Sequence, residues 1–144
     1  MYRFVIVSLS MWMAASLMAC EGDDAASCEN CGSDDPIEVA GTWETSFDTE
    51  EVITDASWAY MEVVSFDNGA NQAITQNPSD DMYNPDKYNR IVWTEPANGQ
   101  FHYCMIAFGK DSAEAAANDS AQADTSDLDG EGCGGFSWTT LAKP

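Results

Sequence analysis

Residues 90–108 read RIVWTEPANGQFHYCMIAF, and the fold turns on this stretch. Two runs rich in β-branched and aromatic residues flank Pro96-Ala97-Asn98-Gly99. Such runs favour strands, and a tetrapeptide of this kind favours a tight reversal. The stretch is therefore expected to form a β-hairpin whose second strand covers 100–108.

The same pattern extends upstream. GTWETSF (41–47) alternates, with Trp43, Thr45 and Phe47 expected on one face. EEVITDASWAYMEVVSF (50–66) carries a short strand around Val52 to Thr54 and then a longer one. In the longer one, Trp58, Tyr60, Glu62, Val64 and Phe66 alternate with Ala59, Met61, Val63 and Ser65. Period two with these residue types predicts β structure. Asp67-Asn68-Gly69 signals a turn into NQAIT (71–75). A loop over 76–90 follows, with two Asn-Pro steps that disfavour helix at the preceding residue.

Downstream of the hairpin the character changes. Asp111 as N-cap with Glu114 three residues on makes a capping box, so a short helix is predicted over Ser112 to Ala117. The chain then continues as a polar loop, and GGFSWTTL (134–141) predicts a last strand. Short strands, antiparallel connections and the lack of any βαβ unit predict an all-β fold: a small antiparallel barrel or sandwich of about seven strands with one short helix. Its core candidates are Trp43, Trp58, Tyr60, Phe66, Trp93, Phe101, Tyr103, Phe108, Phe136 and Trp138.

The chain begins MYRFVIVSLSMWMAASLMAC. Arg3 precedes an uncharged run from Phe4 to Met18, shorter than the roughly 20 apolar residues of a membrane span and of the length of a signal peptide core. Its ending, Leu17-Met18-Ala19-Cys20, resembles the lipobox of bacterial lipoproteins. That resemblance implies cleavage before Cys20, a diacylglyceryl thioether on its sulfur and usually an acylated (palmitate-type) amine. Two or three acyl chains anchor stably where one anchors only marginally. In lipoproteins of Gram-negative cells an aspartate after the cysteine favours inner-membrane retention. Glu21 stands there instead, so the resemblance implies the outer membrane.

Residues 21–36, EGDDAASCENCGSDDP, contain no large apolar side chain. Dense like charge with so little hydrophobicity predicts a disordered tether, with a reach of at most roughly 50 Å. The expected organisation is thus a cleaved signal peptide (1–19), a lipidated cysteine with a flexible acidic linker (20–36) and a β domain (37–144).

The chain has 25 acidic and five basic side chains, a formal charge of −20, and cleavage would remove only Arg3 to leave −21. Binding phosphate needs clustered Lys and Arg, so nucleic acid is excluded as a partner, and charge-driven docking on anionic lipid is disfavoured. Solubility outside the cytoplasm accounts for the acidity.

Four cysteines remain besides Cys20, an even number in an oxidising compartment. Cys28 and Cys31 form a C-x-x-C in the linker without the βαβ context of a redox site or further zinc ligands nearby, and read as a local disulfide or oxidised surface thiols. Cys104 lies on the hairpin's second strand and Cys133 just before the last strand. A bridge between them would close the irregular segment and contribute on the order of 3 to 4 kcal/mol.

Catalytic chemistry finds no support. His102 is the only histidine, no G-x-S-x-G elbow is present, and no pair of catalytic groups can be named. Asp124 to Glu131, DTSDLDGE, fails as an EF-hand because Thr125 and Phe136 fall where acidic ligands are required; incidental calcium binding is the alternative to a plain acidic loop. No metal site and no cofactor is predicted.

Gly41-Thr42-Trp43 resembles the G-x-W signature of lipocalins and related calycins, which implies an eight-stranded barrel whose cup holds a small apolar molecule. YNRIVWTE, FHYC and GCGGFSWTTL are similar to stretches of small bacterial lipoproteins, a similarity that brings no activity with it. The function expected is a lipid-anchored lipoprotein of the cell envelope with a non-catalytic structural or interaction role. The alternative is a lipocalin-like carrier of a small apolar ligand. Its partners are the membrane, through the lipid anchor, and an envelope protein or such a ligand.

Overall fold

From Gly41 to Ala142 each strand pairs antiparallel with the next, joined by short turns except for the 77–87 loop and the long 111–138 connection. The computed structural model describes residues 35–144; the expected signal peptide, the expected lipidation at Cys20 and the expected pairing of Cys28 with Cys31 fall outside the described residues. The elements are β1 (Gly41–Thr45), β2 (Glu50–Ile53), β3 (Ser57–Trp58), β4 (Met61–Asp67), β5 (Gln72–Gln76), β6 (Tyr88–Trp93), β7 (Gln100–Lys110), α1 (Ala113–Ala117) and β8 (Thr139–Ala142). The last strand returns to the first through Glu44↔Ala142 and Thr45↔Leu141. The result is a closed eight-stranded up-and-down barrel. A barrel of eight strands has an interior just wide enough for side chains or one small ligand.

The decisive hairpin is β6–β7, with Asn98 (φ 56°) and Gly99 (φ 76°) making the reversal. The long strand expected over 58–66 is instead two. Ala59 adopts φ 51° and ends β3, so Tyr60 sits in a turn before the chain resumes at Met61. That turn shifts the alternation: Trp58, Met61 and Val63 are buried, whereas Tyr60, Glu62 and Val64 face solvent. A bulge between Val63 and Ser65 shifts the register once more and lets Phe66 pack against the core. Phe47, expected to share a face with Trp43 and Thr45, lies in the β1–β2 turn and is exposed, and of the core candidates Tyr60, Phe108 and Phe136 are exposed as well.

The helix also starts differently. Ser112, in extended conformation, is the N-cap and its hydroxyl accepts from the Ala115 N–H. Asp111 turns away to pair with Lys87 at 2.6 Å. Five residues make little helix on their own. Arg90 holds this region to the wall of the barrel, its guanidinium donating to the carbonyls of Ala117 and Ala121.

Because the strands run up and down, every second connection falls at the same pole. Residues 35–40, the β2–β3, β4–β5 and β6–β7 turns and the C-terminus share one pole, which is shut. Ile37 and Val39 plug it, both essentially inaccessible. The plug is pinned on several sides: Ile37 N–H donates to Asp55 Oδ1, Glu38 N–H to Asn68 Oδ1, and Trp93 Nε1–H to Glu38 Oε1. Trp43 Nε1–H closes the set on the Val39 carbonyl at 2.9 Å. Lys143 lies 3.9 Å over the Trp43 ring, a cation–π contact worth about 0.5–1 kcal/mol.

Above the plug, the interior is filled by aromatic side chains. Trp43 meets Phe101 edge-on at 4.7 Å, and Trp58 contacts Trp93, Phe101 and Tyr103 with ring centres 5.3–6.5 Å apart. The edge-to-face pairs among them, Trp43–Phe101, Trp58–Phe101 and Trp58–Tyr103, add about 0.5–1.5 kcal/mol each beyond the area they bury. Among the described residues no helix is long and apolar enough to cross a membrane.

Candidate functional site at the open pole

The opposite pole carries the β1–β2 and β3–β4 turns, the 77–87 loop and the long 111–138 connection. Its interior is polar. Asn89, inward on β6, donates to Asn77 Oδ1 at 2.7 Å and lies 3.5 Å from Thr75 Oγ1, while its own Oδ1 accepts the Gly109 N–H. These groups are buried and mutually satisfied, as burial of amides requires.

Glu51 enters from β2. Its phase along the strand matches that of Ile53, which is buried, so the carboxylate points inward. Tyr103 on β7 donates its hydroxyl to Glu51 Oε1 at 2.9 Å. Glu51 Oε2 is buried without a partner, and so is the Trp58 indole N–H. Burial pushes the Glu51 carboxyl above its ordinary range, and the bond from Tyr103 offsets only part of that. Burial and the neighbouring Glu51 charge hold the Tyr103 phenol well above its usual range, so it stays protonated and acts as a donor.

Tyr103 also lines a groove of about 250 Å³ together with Met105, Phe108, Cys133, Phe136 and Thr139. The groove exists because neighbouring strands differ in length. β8 pairs only with Gln100 to Tyr103, whereas β7 runs on to Lys110. The disulfide Cys104–Cys133, with Cα atoms 5.5 Å apart, ties the returning segment beside this overhang. Ile106, Trp138 and Cys104 form a second small core on the barrel's outer face, joined by Leu128, Ala121 and Ala123. Gly134 and Gly135, both with positive φ, let the chain turn sharply there, leaving Phe136 73 % exposed.

Exposed apolar side chains concentrate at this pole. Phe47, Tyr60, Met82, Tyr83, Phe108 and Phe136 all belong to its turns, loops or strand ends; among the described residues, only the exposed Val52 and Val64 lie on the side wall. Of these, Phe108 and Phe136 share the groove, and a contiguous exposed apolar patch marks an interaction site more often than scattered single residues do.

The remaining residues singled out from sequence stand apart from the groove's chemistry. His102 pairs with Thr140 and is held through its backbone by Thr94. In the Asp124–Glu131 stretch the carboxylates shape local turns: Asp124 accepts from Ser126, and Asp127 from the Glu131 N–H. Those bonds from Ser126 hold Asp124 below the usual carboxylate range. Among the described residues no three His, Cys, Asp or Glu side chains gather as a metal-holding group.

Sequence reasoning missed the Glu51–Tyr103 pair, although the phase shared with Ile53 was available to find it. It also missed the overhang of β7, for which one strand's pattern carries no signal. No family model, curated protein or solved structure matches the chain.

Proposed function

We propose that the protein is a lipid-anchored lipoprotein of the cell envelope, attached through Cys20, most simply to the outer membrane, and that its barrel serves a non-catalytic interaction role. One observation carries this reading. The chain enters the barrel at the shut pole, through residues 35–40, while the exposed apolar side chains gather at the opposite pole. A tether at one end and an adhesive rim at the other suit a module presented away from its anchor. The acidic stretch 21–36 is long enough to span at most roughly 50 Å, which would supply the stand-off.

The alternative, a lipocalin-like carrier of a small apolar ligand, draws its support from the groove beside Tyr103. Carrier pockets for drug-sized ligands enclose about 300 Å³ or more within an apolar cup. Here the aromatic side chains occupy the barrel axis, and the groove of about 250 Å³ lies at a seam in the wall. The interaction reading is the better supported.

Mass spectrometry of the membrane fraction from cells producing the full chain tests the address. Expected are a mature N-terminus at Cys20 carrying acyl groups, and release of the protein from the membrane on Cys20→Ser substitution. An intact, unmodified precursor in the cytosol would remove the proposal.

A further inference from the structure

We infer that the overhanging edge of β7 is a strand-addition site for an extended, basic segment of a partner protein; this deepens, and rests on, the interaction reading above. From Cys104 to Lys110, β7 has β6 on one side and, among the described residues, no strand on the other. The neighbouring connection does not fill the place. Its backbone bonds are spent within itself, Cys133 N–H to the Phe136 carbonyl, Phe136 N–H to the Cys133 carbonyl and Gly135 N–H to the Glu131 carbonyl. A strand edge left without a partner is a template for another strand, and proteins usually cover, shorten or charge such edges. Here the edge carries Phe108, 65 % exposed, and opens directly into the groove.

The groove fits a strand better than a globular ligand. It runs along the edge and takes in side chains from both faces of β7, Tyr103 and Met105 from the inner and Cys104 and Ile106 from the outer. An added strand would present alternate side chains to these two faces, which is how strand addition gains specificity beyond its main-chain bonds.

Charge selects the occupant. All four cations of the described residues are already engaged. Lys87 pairs with Asp111, Lys110 with Asp119, Arg90 is held by two carbonyls, and Lys143 covers Trp43. The carboxylates at the groove's margins have no such partner. Exposed Glu131 stands beside Phe136, and exposed Asp48 and Glu50 lie in or next to the β1–β2 turn, which Ser46 N–H fastens to the Thr140 carbonyl beside Thr139. The complementary segment therefore alternates Lys or Arg with apolar residues.

The test uses the full lipidated chain in nonionic detergent with a peptide of about eight residues alternating Lys and Val, long enough to span the edge. Amide hydrogen exchange at Met105 to Phe108 should slow by about tenfold or more at saturating peptide. A Glu/Val peptide should leave it unchanged, and backbone N-methylation of the Lys/Val peptide should abolish the effect at one parity of positions and spare it at the other. Four results would overturn the proposal: no protection at saturation, protection that survives methylation at both parities, occupation of the groove by decanol without peptide binding, or pairing of two copies of this chain through the edge. A photo-crosslinking residue at Phe136 and another at Met82, on the rim but outside the groove lining, read in cells, separates the two levels. Protein adducts at position 82 with none at 136 would overturn the groove alone, and no protein adduct at either would take the interaction reading with it.

Discussion

Tyr103 and Glu51, 52 residues apart, meet across the barrel interior with the phenol donating to the carboxylate at 2.9 Å. The contact joins β7 to β2, strands that share no ladder, at the level where the aromatic core gives way to the polar mouth. It leaves one carboxylate oxygen buried and unpartnered, so the site is costly to keep ionised.

That cost sets a pH dependence. Burial raises the Glu51 pKa above its ordinary 4.5, so the folded chain holds this proton more tightly than the unfolded one. The stabilisation is fully present below the ordinary value and is lost as pH rises through the folded value. Glu51→Gln escapes that loss. Its melting temperature relative to the wild type should therefore climb as pH rises from below the ordinary 4.5 through the raised folded value. Asp111, Asp119 and Asp124, whose pKa values are lowered, act in the opposite direction but cancel in the comparison. A difference that stays flat with pH would contradict the assignment.

The Cys104–Cys133 bridge closes a 29-residue separation. Replacing both cysteines by alanine is expected to cost about 3–4 kcal/mol in urea denaturation. Reductant should lower the wild-type midpoint similarly and leave that of the double variant unmoved. Equal midpoints for wild type with and without reductant would show that the bridge does not constrain the unfolded chain.

Arg90 is buried and spans two carbonyls on the connection that follows β7. Arg90→Met strips two charge-assisted bonds and should cost about 2–3 kcal/mol. Limited proteolysis should then cut within residues 113–123 faster than in the wild type. Arg90→Lys should recover only part, since one ammonium cannot reproduce the fork of a guanidinium.

Asn89 ties three elements together at the polar mouth. Asn89→Leu leaves Asn77 Oδ1 and the Gly109 N–H without their partner, for an expected loss of about 2–4 kcal/mol by chemical denaturation. A neutral substitution would mean that water replaces the side chain freely.

The hairpin over 90–108 and most strand segments are legible in the sequence because their turns use Asn, Gly and Pro, whose backbone preferences are local. The break at Ala59 is not legible. Trp58-Ala59-Tyr60 holds no turn-forming residue, and the left-handed alanine is imposed by pairing, its N–H bonding the Val52 carbonyl. One hidden turn moved Met61 and Val63 onto the face of Trp58 and Val64 off it, and concealed an eighth strand. The helix cap shifted by one residue because Asp111 had a better partner in Lys87. At the candidate site, Tyr103, Phe108 and Phe136 were visible as aromatics but not as a groove. Exposure there depends on how far β8 reaches along β7, which is fixed by tertiary closure.

The plug at Ile37 and Val39 has a mechanical consequence. Tension applied to the chain at residue 35 meets these two side chains and the bonds to Asp55 and Asn68 before it reaches any strand. The first thing to yield under load is the barrel's floor rather than its wall, so a strong enough tug would unstopper the barrel from below while the disulfide-braced rim kept its shape.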